Sequence, residues 1–129
     1  MRILGIDYGV KRVGLALSDE NSKMAFPYGV LKNNAKILDD LKKIIKKEKI
    51  KLIILGLPFG LDGRETHNTK PTEEFKKKLE KEISIPIIFE KEFYTTKEAE
   101  RVQGKIKHID ASAAALILKH YLDKLKIKI

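Results

Sequence analysis

The spacing of apolar and polar positions along this 129-residue chain changes twice. Up to about Leu31 the apolar residues come in short runs separated by turn residues, which predicts strands over 2–7, 12–18 and 24–31. Gly9-Val10-Lys11 separates the first two, and Ser18-Asp19-Glu20-Asn21-Ser22 the second and third, so the three should form an antiparallel meander. Ile37, Leu38, Leu41, Ile44 and Ile45 then recur on one face of a helix over 34–48, with lysines on the solvated side. Lys51-Leu52-Ile53-Ile54-Leu55 is a continuous apolar run, as in a parallel strand covered on both faces, and Gly56-Leu57-Pro58 ends it. A loop over 59–70 holds the turn pair Asp62-Gly63. A helix over 69–83 follows, with Pro71 in its first turn and Phe75, Leu79 and Ile83 at four-residue spacing. Ile85–Phe89 reads as a fifth strand, near a sheet edge because Pro86 has no N–H to donate. Thr95 and Glu98 form a capping box for a short helix, and a last helix opens at Asp110 and runs to about Lys124.

This order predicts an α/β fold with a ribonuclease-H-like layout. It is a five-stranded mixed sheet of three antiparallel strands extended by two parallel ones, with helices on both faces. The length suits one domain spanning 1–129, large enough for a core without staples. The absence of cysteine excludes disulfides and thiolate chemistry and fits a reducing cytoplasm. No apolar run approaches the roughly 18–20 residues of a membrane span, and Asp7 interrupts any signal-peptide core. Lys and Arg exceed Asp and Glu by 27 to 18, a net charge of +9, which makes a polyanion a candidate partner. Lysine-rich helix faces account for much of that excess without any partner.

Three acids stand where such a sheet could gather them. Asp7 closes the central strand, Glu92 follows the fifth strand and Asp110 starts the last helix. Phosphodiester hydrolysis assisted by Mg²⁺ or Mn²⁺ requires hard carboxylate oxygens and open positions for water and phosphate. Each acid also has a plainer reading: an Asx turn for Asp7, a solvated strand end for Glu92 and an N-cap for Asp110. Glu90 shares the face of Glu92 on an extended strand, so alternation does not choose between them. Gly9 is expected to give the hairpin a positive φ. Gly14, across the hairpin, leaves room for a phosphodiester beside Asp7, and Lys11 and Arg12 at the tip are candidate phosphate contacts. His67, His108 and His120 have no metal-ligand spacing; His120 reads as helix packing or surface, and His108 is close enough in sequence to Asp110 to reach the site.

Asp7-Tyr8-Gly9 with Arg12-Val13-Gly14-Leu15-Ala16, Gly56-Leu57-Pro58 with Asp62-Gly63, Glu92 before Thr95-Thr96, and Ile109-Asp110 with Ala113-Ala114 and Ile117-Leu118 occur in that order. Together they resemble the YqgF family of pre-16S rRNA nucleases, also described as Holliday-junction-resolvase-like, over essentially the whole chain. The resemblance implies a ribonuclease-H-like nuclease that uses Mg²⁺ or Mn²⁺ and processes the 5′ end of precursor 16S rRNA. Its acidic triad maps onto Asp7, Glu92 and Asp110 as catalytic and metal-binding residues, with Asp7 bridging. One departure stands out: where the family commonly carries an acidic-Glu-Arg run, this chain has Lys91-Glu92-Phe93. Lys91, Arg101 or Lys107 could replace the missing arginine at a phosphate.

Two other functions use the same fold: cleavage of branched DNA, for which a four-way junction calls for two symmetric active sites, and metal-free RNA binding. The expected state is a monomer or weak homodimer. The sequence shows no aromatic stacking platform, which counts against binding single strands by stacking. A sugar-kinase or actin-like ATPase shares the Asp-x-Gly hairpin but needs a second such domain, which this length excludes.

Overall fold

The computed structural model describes residues 1–94 and 107–127, the last helix by its backbone alone at 107–110 and 127. Three strands, β1 (Arg2–Tyr8), β2 (Arg12–Ser18) and β3 (Ala25–Lys32), precede helix α1 (Ile37–Lys47). Strand β4 (Ile50–Gly60), helix α2 (Thr69–Glu82), strand β5 (Ile87–Tyr94) and helix α3 (Lys107–Ile127) complete the described elements. The sheet order is β3-β2-β1-β4-β5, so β1 is central and β5 is an edge. β1 pairs antiparallel with β2 and parallel with β4, and β4 pairs parallel with β5. This is the mixed layout that the periodicity predicts.

Alternation along the strands divides the core in two. Leu4, Ile6, Ile53 and Leu55 point to one face and pack with Ile37 and Leu41 of α1 and Phe75 and Leu79 of α2. Ile3, Leu52 and Ile54 point to the other and pack with Ala114, Ile117, Leu118 and Leu122 of α3. The side chains among these that are wholly excluded from water contribute about 1.5–3 kcal/mol each. Two glycines let α3 approach the sheet closely. A Cβ on Gly5 would lie 2.9 Å from Leu118 Cβ and 3.0 Å from the Ala114 carbonyl oxygen, and one on Gly56 would lie 2.4 Å from Ile117 Cδ1.

Several boundaries differ from the sequence reading. β4 runs five residues beyond Leu55, through Pro58 to Gly60, because its end is paired with β5 and needs no apolar continuation. Residues 59 and 60 are therefore strand, and Gly63, at φ +81°, makes the predicted turn. β5 starts after Pro86 and continues to Tyr94, so Glu92 lies inside the strand. Helix α3 starts at Lys107, which places Asp110 in its first turn and rules out the N-cap reading. The capping box at Thr95 and Glu98, its helix, and Arg101 lie outside the described residues. No helix among the described residues is long and apolar enough to cross a membrane.

Candidate active site

The carboxyl ends of the parallel strands gather the candidate acids. Asp7 shares the face of Ile3 and Gly5, the face covered by α3, while Tyr8 points the other way and stacks on Phe75 at 4.3 Å. Asp7 is half-buried and pairs across the hairpin with Gly14, which is itself buried, so the room expected beside Asp7 is not open to solvent at Gly14. The hairpin is tight for a different reason than the one expected. Gly9 does not take a positive φ; a Cβ there would sit 2.6 Å from the Arg12 carbonyl oxygen, so close approach requires the glycine. Two asparagines hold the loop. Asn33 Nδ2 donates to the Gly9 carbonyl at 2.8 Å, and Asn68 Nδ2 donates to the Tyr8 carbonyl at 2.7 Å.

β5 carries the second acid. Glu90 and Glu92 are both buried, 4% and 5% exposed, against α3. His120 Nδ1 lies 2.7 and 2.9 Å from the two oxygens of Glu92, and Lys124 Nζ lies 2.6 Å from Glu90 Oε2. The plainer reading of Glu92 as a solvated strand end is therefore excluded. With an ionised carboxylate, which only accepts, the ring N–H is the donor. Burial pushes the Glu92 carboxyl above the ordinary glutamate value; the His120 hydrogen bond and charge oppose this, and Glu90 adds to it.

The same two contacts set the direction of α3. Moving back along β5 from Glu92 to Glu90 corresponds to moving forward along α3 from His120 to Lys124, so α3 runs antiparallel to the parallel strands. Its first turn, which contains Asp110, is thus at the carboxyl end of the sheet. Ala114 lies over Gly5, and the backbone of Asp110 is four residues, about 6 Å, nearer that end. The side chains of Asp110, His108 and Lys107 lie outside the description; Lys107 belongs to the helix, not to a preceding loop.

The register separates the two glutamates. Ile6 pairs with Leu55, so continuing that ladder by one residue sets Asp7 beside Gly56, which pairs with Glu90. Glu92 pairs with Pro58, about 6.6 Å further toward the lip of the sheet. Among the described residues no group of three or more His, Asp or Glu is placed to hold a metal ion. The donors on this face are nonetheless hard carboxylate oxygens, the chemistry that suits Mg²⁺ or Mn²⁺.

The cationic candidates are dispersed. Lys11 is exposed at the hairpin tip, and Arg12 is half-buried where β2 begins. Lys91 is on the opposite sheet face from Glu92, with Nζ 5.8 Å from the centre of the Phe59 ring. Phe59 and Phe93, partners across β4 and β5, stack with centroids 5.9 Å apart, and Phe93 is 52% exposed. An aromatic platform is therefore present, contrary to expectation, because the paired strand ends bring together rings that are far apart in the chain. The sequence reading also missed His120 and Lys124 as partners of the acids. The available signal was a pair of spacings: i,i+2 on a strand spans about 6.6 Å and i,i+4 on a helix about 6 Å, so Glu90/Glu92 and His120/Lys124 match.

Known proteins resemble this chain over nearly its whole length. Proteins named "Putative pre-16S rRNA nuclease" match nearly end to end. The one from Maridesulfovibrio salexigens is 36% identical over 95% of this chain and 98% of its own. Those from Sulfurihydrogenibium sp. and Dictyoglomus turgidum are 38% identical (96% of this chain, 91% of theirs) and 39% identical (98% and 97%). Among solved structures, Thermus thermophilus RuvC in complex with a Holliday junction substrate superposes with a TM-score of 0.58 at 13% identity, covering 98% of this chain and 96% of that one. The fowlpox virus Holliday junction resolvase gives 0.52 at 14% identity, covering 97% and 99%. At these identities the structural likeness establishes the resolvase-type ribonuclease-H fold alone. Residues 1–124 match the family model described as "RuvX: Holliday junction resolvase", and with the full-length relatives this shows that the chain belongs to the RuvX family.

Proposed function

We propose that this protein is a metal-dependent nuclease that hydrolyses phosphodiester bonds at the 5′ end of precursor 16S rRNA in the cytoplasm. The observation that carries the reading is the position of Asp7. It is half-buried on the central strand, at the carboxyl end of the parallel strands, opposite Gly14 and on the face that α3 covers. An acid at that end of the central strand supplies hard oxygens, the ligand type that suits Mg²⁺ or Mn²⁺. The names of the full-length relatives supply the substrate.

Asp7, Glu92 and Asp110 are the residues proposed to hold Mg²⁺ or Mn²⁺, with Asp7 central. When bound, the ions neutralise phosphate charge and activate the attacking water. The protein's own contribution is placement. Asn33 and Asn68 hold the loop after Asp7, and His120 orients the Glu92 carboxylate. Glu90, level with Asp7 and held by Lys124 through one oxygen, is the alternative to Glu92 at this position. Lys11 and Arg12 at the hairpin tip, and Lys91 and Lys107, are the proposed backbone contacts.

The family description as a Holliday junction resolvase makes branched DNA the second substrate to test. Purified protein is incubated with precursor 16S fragments and with a four-way junction, in Mg²⁺ and in EDTA. Cleavage of the rRNA fragment in Mg²⁺ alone, lost in Asp7→Asn, is the expected result. Cleavage that persists in EDTA or in Asp7→Asn refutes the mechanism, and cleavage of the junction alone refutes the substrate.

A further inference from the structure

The family arginine is absent at Phe93, and the structure offers a function for the residue that replaces it. Phe93 is the penultimate residue of edge strand β5 and is 52% exposed. Its inner neighbour Phe59 stacks against it at 5.9 Å, with ring planes inclined by 29°. Lys91 Nζ lies 5.8 Å from the centre of the Phe59 ring, which adds a cation at the inner side of the pair. Beyond Phe59 the chain turns back through Asp62-Gly63, and Glu65 bridges to Phe59, while the Arg64 side chain is 88% exposed beside Asp62. Large apolar side chains at an edge usually turn inward or are covered. Here one ring is buttressed from behind and is half-exposed to solvent beside Lys91, while Arg64 is paired with Asp62.

We infer that Phe93, supported by Phe59 and flanked by Lys91, is a stacking shelf for an unpaired nucleobase of the substrate strand. Every base has a π-face, so such a shelf binds single-stranded segments with little sequence preference, and the adjacent ammonium serves the backbone phosphate. A duplex, whose bases are already stacked, cannot use it. The position suits the proposed site. Glu92 and Phe93 are consecutive on an extended strand, so the same lip of the sheet presents the carboxylate to one face and the ring to the other. Glu92 is buried on His120, so a single strand crossing that lip would meet the ring, at the same carboxyl end of the sheet that holds Asp7. This assignment builds on the nuclease reading by specifying a single-stranded segment next to the cleaved bond.

The chain contains no tryptophan, so Phe93→Trp introduces a single indole fluorophore at the shelf. The probes are a single-stranded RNA of about 12 nucleotides, within the site sizes that single-strand binders span, and the same sequence in a blunt duplex. Both are titrated in EDTA so that binding is read without cleavage. The expected results are quenching of the introduced indole by the single strand, and a roughly five- to hundredfold affinity loss for that probe in Phe93→Ala and Phe59→Ala. Duplex affinity should be unchanged in Phe93→Ala. Equal single-strand affinity in Phe93→Ala, or equal losses on both probes, overturns the shelf. Because Phe93 is half-exposed but stacks on Phe59, Phe93→Ala should stay folded with a loss of about a few degrees in melting temperature, and Phe93→Leu separates loss of the ring from loss of bulk. The binding arm does not depend on catalysis. Shelf binding without cleavage would refute only the nuclease reading, whereas Mg²⁺-dependent cleavage with an indifferent Phe93 would refute only the shelf.

Discussion

His120 Nδ1 on α3 stands 2.7 and 2.9 Å from the two carboxylate oxygens of Glu92 on β5. This contact joins the edge strand to the C-terminal helix and buries an acid that the sequence leaves in water. Together with Lys124 and Glu90 it also sets which way α3 runs, and hence where Asp110 falls.

The pair has a consequence for stability. Burial raises the Glu92 carboxyl above the ordinary glutamate value. Below that ordinary value the group is protonated in both folded and unfolded chains and makes no difference. Between the ordinary and the raised value the folded chain keeps a proton that the unfolded chain has released, so stability falls as pH rises. Above the raised value the full cost remains. Glu92→Gln removes this titration while keeping the shape. Its stability relative to wild type should rise as pH goes from about 4 to about 8. Thermal melts across that range check this, and a difference that does not vary with pH contradicts it.

Asn68 is 3% exposed, and its Nδ2 donates to the Tyr8 carbonyl, one residue beyond Asp7. Asn68→Ala leaves that carbonyl without its donor and should cost about 1–3 kcal/mol. Asn68→Asp sets a carboxylate against the carbonyl and should cost more. Urea denaturation ranks the two variants, and an Asn68→Asp protein as stable as wild type would show that this tie is dispensable.

Gly5 is where α3 meets the central strand. Gly5→Ala places a methyl 2.9 Å from Leu118 Cβ and 3.0 Å from a backbone oxygen that cannot rotate away. The expected loss is about 1–3 kcal/mol. Nuclease activity should fall below what the remaining folded fraction explains, because the helix that bears Asp110 must shift. Gly29→Ala is the control, since nothing lies within 4 Å of its added carbon. Similar melting temperatures for the two variants would refute the close-packing argument.

Much of the fold was legible because it depends on local period. The short apolar runs of β1 and β2, the helical spacing of Ile37 to Ile45, and the four-residue spacing of Phe75, Leu79 and Ile83 each predict an element that the structure contains. The central position of Asp7 follows from the order of those elements, and the motif sequence around it carried the family. The boundaries of β4, β5 and α3 were misread because their ends are fixed by partners in other segments. Glu92 is strand because Pro58 pairs with it, and Asp110 lies one turn inside a helix that local capping signals place later.

The sequence by itself determined the class of fold, the strand order and the candidate acids, since hydrophobic period and turn chemistry act over a few residues and are written where they act. Only the tertiary structure decided that Glu92 is buried on His120, that Glu90 and not Glu92 is level with Asp7, and that Phe59 and Phe93 form one aromatic surface. Those facts depend on register between strands and on the direction of α3 across them. Close packing at Gly5 and Gly56 holds α3 against the sheet, through atoms far apart in the chain.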